Sequence, residues 1–331
     1  MRILSADDVL NALPMDAAIA GMRRAFSAFS SGRVGMTPSV RLRVPGGRGE
    51  GDAALAHVRN HEGGEVLGLR LATTWPGNPV RGRPVGQGAV LLVDPSTGAP
   101  DALIEGGTLS AVRTGATSAV ATDLLARRSA RTLAVIGTGV GARTQVEGVC
   151  HVREIESVRV YDRDPSSIRA FISEVAGRGR VPREVIAART PAAAIGGADI
   201  VCTATTSSTP VFADRDLDDG VHINGIGSYS PDTAEIPHRT LARALVVVDS
   251  RAAALSEAGD LVLAIAQGAI TPDHIHAELG ELVVGRVQGR TCAGQVTVFR
   301  SVGIAVLDLV AASIAVKNAR AEEIGRECRW T

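Results

Sequence analysis

The stretch TLAVIGTGVGARTQVEGVC, residues 132–150, constrains this chain more than any other. An apolar run ends in closely spaced glycines and passes into helical periodicity, the order strand, tight turn, helix. Read as G-x-G-x-x-A, the turn places Gly137, Gly139 and Ala142, with Val140 and Gly141 inside it. The first glycine permits the turn, the second lets a pyrophosphate approach the backbone, and the third small position lets helix pack on strand. The next strand, SVRVYD, ends in Asp162, 25 residues after Gly137. A carboxylate there accepts hydrogen bonds from an adenosine ribose and repels a 2′-phosphate, which predicts NAD. Arg163 beside it keeps NADP open, because an arginine can hold that phosphate. A glycine-rich turn in a nucleotide-free domain is the competing reading.

Around this turn strands and helices alternate. LAVIG, SVRVYD, ADIVCTAT, VHINGIG and ALVVVDS are continuous apolar runs, with helical stretches at 140–150 and 166–177. Strands apolar on both faces belong to a parallel sheet covered by helices, so the fold class is α/β with a doubly wound parallel (Rossmann) sheet. The flanks read differently. Ser5 followed by Asp8 starts a helix, and from Pro14 a second places Ile19, Met22, Phe26 and Phe29 at helical spacing before Gly32. From Val40 to about Ile104, short strands separated by PGGRGEGD, PGNP and DPSTGAP predict an antiparallel sheet. Residues 108–127 form a small-residue helix, and VGIAVLDLVAASIAVKNA after Ser301 a long one. The strand-rich part before residue 108 has open edges, which predicts a homodimer.

Composition removes several function classes. With 35 basic and 35 acidic residues the formal charge is zero, so no strong field draws nucleic acid or a membrane surface. No apolar run of about 18 residues predicts a membrane span. The N-terminal segment meets two aspartates before any signal-peptide core could form, and a cytoplasmic location is the expectation. Cys150, Cys202, Cys292 and Cys328 lack CxxC spacing and read as buried free thiols. His57, His61, His222 and His274 show no ligand spacing, so no metal is expected. Arg113 stands among small residues of its helix; its cation either snorkels to solvent or points into a cleft.

Specific segments carry a resemblance. NPVRGRP (78–84), LLVDPSTGAPDALIEGGTLSAVRTGATSAVA (91–121), the glycine turn, VVVDSRAAALSEAGDL (246–261), HAELGELVVGR (276–286) and TVFRSVGIAVLDLVAA (297–312) resemble the ornithine cyclodeaminase/mu-crystallin family over nearly the whole chain. The resemblance implies an α+β substrate and dimerisation domain, residues 1–115 with 303–331 returning to it, and an NAD-binding domain, residues 116–302. The glycine turn then comes late because a substrate domain precedes it.

Carried over position by position, the resemblance makes Arg113 the anchor of the substrate carboxylate and Arg41 a second carboxylate-binding arginine. Thr114 becomes a cofactor contact and Ser301 the serine at the nicotinamide end, while Thr203, Ala204, Thr205 and Ile226 line the cofactor path. Two positions depart from the family. Arg70 stands where most relatives carry a lysine, and arginine binds but is a poor proton shuttle. Tyr229 stands where ornithine cyclodeaminases carry an aspartate, with Asp232 three residues on.

Arg41, Arg70 and Arg113 together predict a site rich in positive charge and suited to a substrate with more than one carboxylate, or to a bulky anionic imine, rather than to ornithine, with Arg70, Arg113 and Tyr229 at the reacting centre. His57 or His61 could supply the proton. The family chemistry is hydride exchange between nicotinamide and the α-carbon of an amino or imino acid. The leading expectation is an NAD-dependent oxidoreductase on the CH–NH/C=N bond: an amino-acid dehydrogenase, a ketimine reductase or an opine-type enzyme. An ammonia-eliminating cyclodeaminase and a non-catalytic small-molecule binder are the alternatives.

Overall fold

The computed structural model describes the chain except Gly47, Glu62, Gly63, Tyr229 and Thr331, and of residues 60, 61 and 79 only the backbone. Two compact units result: residues 1–113 with 305–331, and residues 114–304.

The first unit begins with β1 (Arg2–Leu4), α1 (Ala6–Ala12) and α2 (Met15–Ser30). The capping box read from Ser5 and Asp8 is formed. There follow β2 (Val34–Met36), β3 (Val40–Val44), β4 (Gly49–His61), β5 (Gly64–Thr74), β6 (Gly86–Val93) and β7 (Pro100–Glu105), and then α3 (Gly106–Leu125), within which the two units divide. The strands β3 to β7 pair antiparallel, as their alternation predicts, while β1 adds to β7 in parallel. Register sorts the side chains. Arg41 lies opposite Asp52 and Ala54 opposite Arg70, so these four share one face. Val40, Leu42, Ala53, Leu55 and Leu71 alternate onto the other.

The second unit contains β8 (Thr132–Ile136), α4 (Val140–Val152), β9 (Ser157–Tyr161), α5 (Pro165–Val175), β10 (Val185–Ala187), α6 (Pro191–Ile195), β11 (Ile200–Thr203), β12 (His222–Gly225), α7 (His238–Arg243) and β13 (Leu245–Val248). It continues with α8 (Arg251–Glu257), α9 (Gly259–Ala266), β14 (Ile275–Glu278), α10 (Leu279–Val283) and β15 (Thr297–Arg300). Among the described residues the sheet order is β10-β9-β8-β11-β12-β15-β13-β14, every neighbouring pair parallel. This is the expected doubly wound sheet. β15 inserts between β12 and β13, a place no local pattern in TVFR announces. Apolar clusters cover both faces.

The chain then returns to the first unit through α11 (Ala305–Ala321) and β16 (Arg326–Glu327), which pairs with β1. α11 is apolar nearly all round because it packs on β4, β5 and β6 and also against α2. Among the described residues no helix is long and apolar enough to cross a membrane, and no cluster of metal-ligating side chains is found. Cys150 and Cys202 are buried, which pushes both thiols up to about 12, but Cys292 and Cys328 are exposed. The expectation of four buried thiols is corrected for those two.

Candidate active site

In the second unit the strand order reverses between β8 and β11, the point where parallel sheets of this kind bind ligands beyond the carboxyl ends of the strands. Gly137 leaves β8 with φ +105°, and a Cβ there would lie 2.4 Å from the Ala204 carbonyl oxygen. Only glycine permits both the conformation and the approach. Gly139 caps α4 with no side-chain hydrogen bond, and a Cβ on it would meet nothing within 4 Å. Its backbone therefore faces open space at the positive end of a 13-residue helix. Val140 is 62 % exposed beside it, and Ile226 Cδ1 lies 3.3 Å from where a Gly141 Cβ would stand.

Asp162 sits just past β9. Its Oδ2 accepts from the Thr138 hydroxyl at 2.9 Å and its Oδ1 from the Asp164 N–H at 3.1 Å. Arg163 is exposed. An open helix end, a glycine cradle that a Cβ would fill and an oriented carboxylate fit a dinucleotide.

The loops after β11 and β12 are tied by Glu235. Its carboxylate accepts from the Thr203 hydroxyl at 3.0 Å, the Thr205 hydroxyl at 2.8 Å, and the N–H groups of Thr205 and Gly227 at 2.6 and 2.7 Å. Burial pushes the Glu235 carboxyl above the usual range, while Arg300 pulls it down and Asp260 raises it further. Asp260 in turn accepts from the N–H groups of Glu235 and Ile236 at 2.5 and 2.9 Å, and pairs with Arg300 at 2.6 Å. Arg300 donates to the carbonyls of Gly225 and Ser301. Asp249, past β13, accepts from the Ser301 hydroxyl at 2.9 Å and from the N–H groups of Val302 and Gly303. Thr114 contributes a carbonyl that accepts from Gln145 at 3.3 Å. Thr203, Thr205 and Ser301 thus share one network of buried carboxylates, and the Ile226 N–H donates to the Thr203 carbonyl at 3.1 Å.

In the first unit Arg113 is 4 % exposed, so it does not snorkel. Its Nε donates to Asp308 Oδ1 at 2.9 Å and its Nη2 to the Ser110 hydroxyl at 3.0 Å. Asp308 Oδ2 lies 3.3 Å from Arg70 Nε, and Arg70 Nη1 donates to Asp52 Oδ2 at 2.8 Å. Asp52 also accepts from the Ser39 hydroxyl. Among the described residues Arg70 and Arg113 are therefore paired with Asp52 and Asp308, and the expectation of a strongly positive cluster is corrected for these two arginines. His57 is on the other face of β4 from Asp52, paired with Glu65 at 3.3 Å, away from the arginines. The His61 side chain and Tyr229 lie outside the described residues.

Sequence reasoning passed over Asp52, Asp249, Asp260, Glu235 and Asp308. Asp308 carried a signal: it is a lone carboxylate in the apolar run VGIAVLDLVAAS, and a buried charge requires a partner.

A model of the Ornithine cyclodeaminase/mu-crystallin family matches residues 1–323. A Delta(1)-pyrroline-2-carboxylate reductase of Bacillus cereus is 40 % identical over 331 residues, covering 100 % of both chains. The structure of Thermococcus litoralis Delta(1)-pyrroline-2-carboxylate reductase in complex with NADH and L-proline matches with a TM-score of 0.95 at 34 % identity, covering 99 % of this chain and 100 % of that one. An archaeal alanine dehydrogenase dimer with bound NAD gives a TM-score of 0.92 at 29 % identity, covering 100 % and 99 %.

Proposed function

Because the chain belongs to the ornithine cyclodeaminase/mu-crystallin family, we propose that it is an NAD-dependent oxidoreductase of the CH–NH/C=N bond whose substrate is a cyclic imino acid, Delta(1)-pyrroline-2-carboxylate first. The observation that carries this reading is the full-length 40 % identity to a reductase of that imine.

The proposed division of labour follows the two units. The α4 N-terminus with Gly137, Gly139, Val140 and Gly141 holds the pyrophosphate, and Asp162 accepts from the adenosine ribose, which favours NAD over NADP. Thr114, Thr203, Ala204, Thr205, Ile226 and Ser301 line the remainder of the cofactor path. When bound, NADH supplies the hydride that reduces the imine carbon. Arg113, aligned by Asp308, anchors the substrate carboxylate through charge-assisted hydrogen bonds. Arg70 and Arg41 orient the same group. A cyclic imine that arrives protonated needs no proton on its nitrogen from residue 70, so an arginine there is compatible with reduction. An arginine is compatible with binding and orienting, but not with shuttling a proton.

A second copy of the chain is the proposed cover for the exposed face of β3 to β5. Val40 and Leu42 are 73 % and 72 % exposed there, with Leu55 and Leu71 beside them. Apolar sheet faces of this kind mark association surfaces.

The test mixes Delta(1)-pyrroline-2-carboxylate with NADH and follows NADH, ammonia and proline together. Loss of NADH matched by proline, without ammonia, is the expected outcome. Ammonia released from ornithine with no net change in NADH would identify a cyclodeaminase instead.

A further inference from the structure

We propose that Asp249 fixes the hydrogen-bond polarity of Ser301, leaving its hydroxyl able only to accept, and that Ser301 thereby selects the amino group of the nicotinamide carboxamide. Asp249 is a positioning residue, acting on the cofactor through Ser301. The inference rests on the reading of the second unit as a dinucleotide site and adds how its nicotinamide end is chosen.

Strand order locates the serine. Asp162 follows β9 on one side of β8, and β11, β12 and β15 lie in turn on the other. A pyrophosphate at the α4 N-terminus, with the adenosine ribose at Asp162, sends the nicotinamide half toward β11, β12 and β15. Ser301 closes β15 there, and its N–H donates to the Gly225 carbonyl at the end of β12 at 3.1 Å. Ile226 follows Gly225, and its Cδ1 stands 3.3 Å from where a Gly141 Cβ would be. The chain beyond β12 therefore borders the open end of α4.

Asp249 is buried just past β13, the strand beside β15. Its Oδ2 accepts from the Ser301 hydroxyl at 2.9 Å and from the N–H groups of Val302 and Gly303 at 2.9 and 2.6 Å. Its Oδ1 accepts from the Ser250 N–H at 2.9 Å. A carboxylate ringed by donors only accepts, so the bond to Ser301 uses the single proton of the serine. Among the described residues Ser301 Oγ has no other hydrogen bond, and only its lone pairs remain to offer. A serine whose proton is free to rotate would suit either end of a carboxamide. This one matches the amino end alone. A carbonyl turned toward it would set two acceptors face to face, which is costly where water cannot intervene.

The experiment measures, by calorimetry, the binding of NAD, 3-acetylpyridine adenine dinucleotide and ADP-ribose. The acetyl group keeps the carbonyl and puts a methyl where the carboxamide has its amino group; ADP-ribose has no pyridine ring. The parent should bind NAD about tenfold or more tighter than the acetyl analogue, the worth of keeping a buried acceptor satisfied. Ser301→Ala should weaken NAD by about that factor, leave the analogue unchanged and so close the gap. Asp249→Ala should close it too, because the freed hydroxyl can then donate to the ketone, whereas Asp249→Asn keeps an acceptor oxygen and should keep the gap. General damage would weaken ADP-ribose as well and leave the ratio of NAD to analogue unmoved. Equal binding of NAD and analogue by the parent, or a gap that survives Ser301→Ala or Asp249→Ala, overturns the proposal. If Asp249→Ala does not fold, Ser301→Ala decides the polarity alone: a hydroxyl that donates would be missed by NAD and analogue equally. If neither NAD nor ADP-ribose binds the parent, the dinucleotide reading falls and the proposal with it; ADP-ribose bound without the gap overturns the proposal alone.

Discussion

The carboxylate of Glu235 holds Thr205 twice, accepting from its backbone N–H at 2.6 Å and from its hydroxyl at 2.8 Å. With Thr203 and Gly227 on the other oxygen, it fixes the chain after β11 to the chain after β12. Glu235→Ala leaves two backbone N–H groups without their acceptor, at about 1–3 kcal/mol each. The expected result is a KM for NADH raised about tenfold, with KM for the imine little changed and Glu235→Gln intermediate. Steady-state kinetics with each substrate varied separately checks it. An unchanged KM for NADH would show that Glu235 stabilises the fold without shaping the cofactor path.

Asp162 should set the choice of cofactor. Both its oxygens already accept hydrogen bonds, from Thr138 and Asp164, so the carboxylate is fixed in place. Binding titrations should give tighter NADH than NADPH in the parent and a narrowed gap in Asp162→Ser. Equal affinities in the parent would mean that Arg163 offsets the carboxylate.

Much of the second unit was legible because each β–α step is local: an apolar run, a turn residue, a helical period. Gly137, Gly139 and Asp162 fall within one such step. What was not legible depends on distance along the chain. β15 joins the sheet between strands far from it in sequence, so TVFR has no local mark of its position. Arg113 and Asp308 are 195 residues apart, and although VGIAVLDLVAAS announces a buried carboxylate, nothing in the run says which cation meets it. The arginines were therefore visible while the carboxylates that pair with Arg70 and Arg113 were not.

Burial and the nearby Arg290 push His222 down to about 3; the ring sits 2.9 Å from Thr297 Oγ1 and 3.2 Å from Asn224 Oδ1. A histidine depressed in the folded state contributes stability that is present above its unfolded pKa of about 6.5 and is lost as pH falls toward the folded value. Between pH 8 and pH 5 this one group should remove about 2 kcal/mol. Urea denaturation at the two pH values should show a smaller loss for His222→Asn than for the parent, even though the substitution lowers stability at pH 8. Parallel losses would mean that the imidazole accepts a proton without unfolding.

The central claim is that a hydride from the nicotinamide ends on the α-carbon of a cyclic imino acid and stays there. Reduction of Delta(1)-pyrroline-2-carboxylate with NADH carrying deuterium at the transferable position measures this directly, with mass spectrometry and NMR on the proline formed. One deuterium per molecule, at the α-carbon, is the predicted result. Proline formed without deuterium, or labelled NADH left unconsumed in the presence of the imine, would contradict the account.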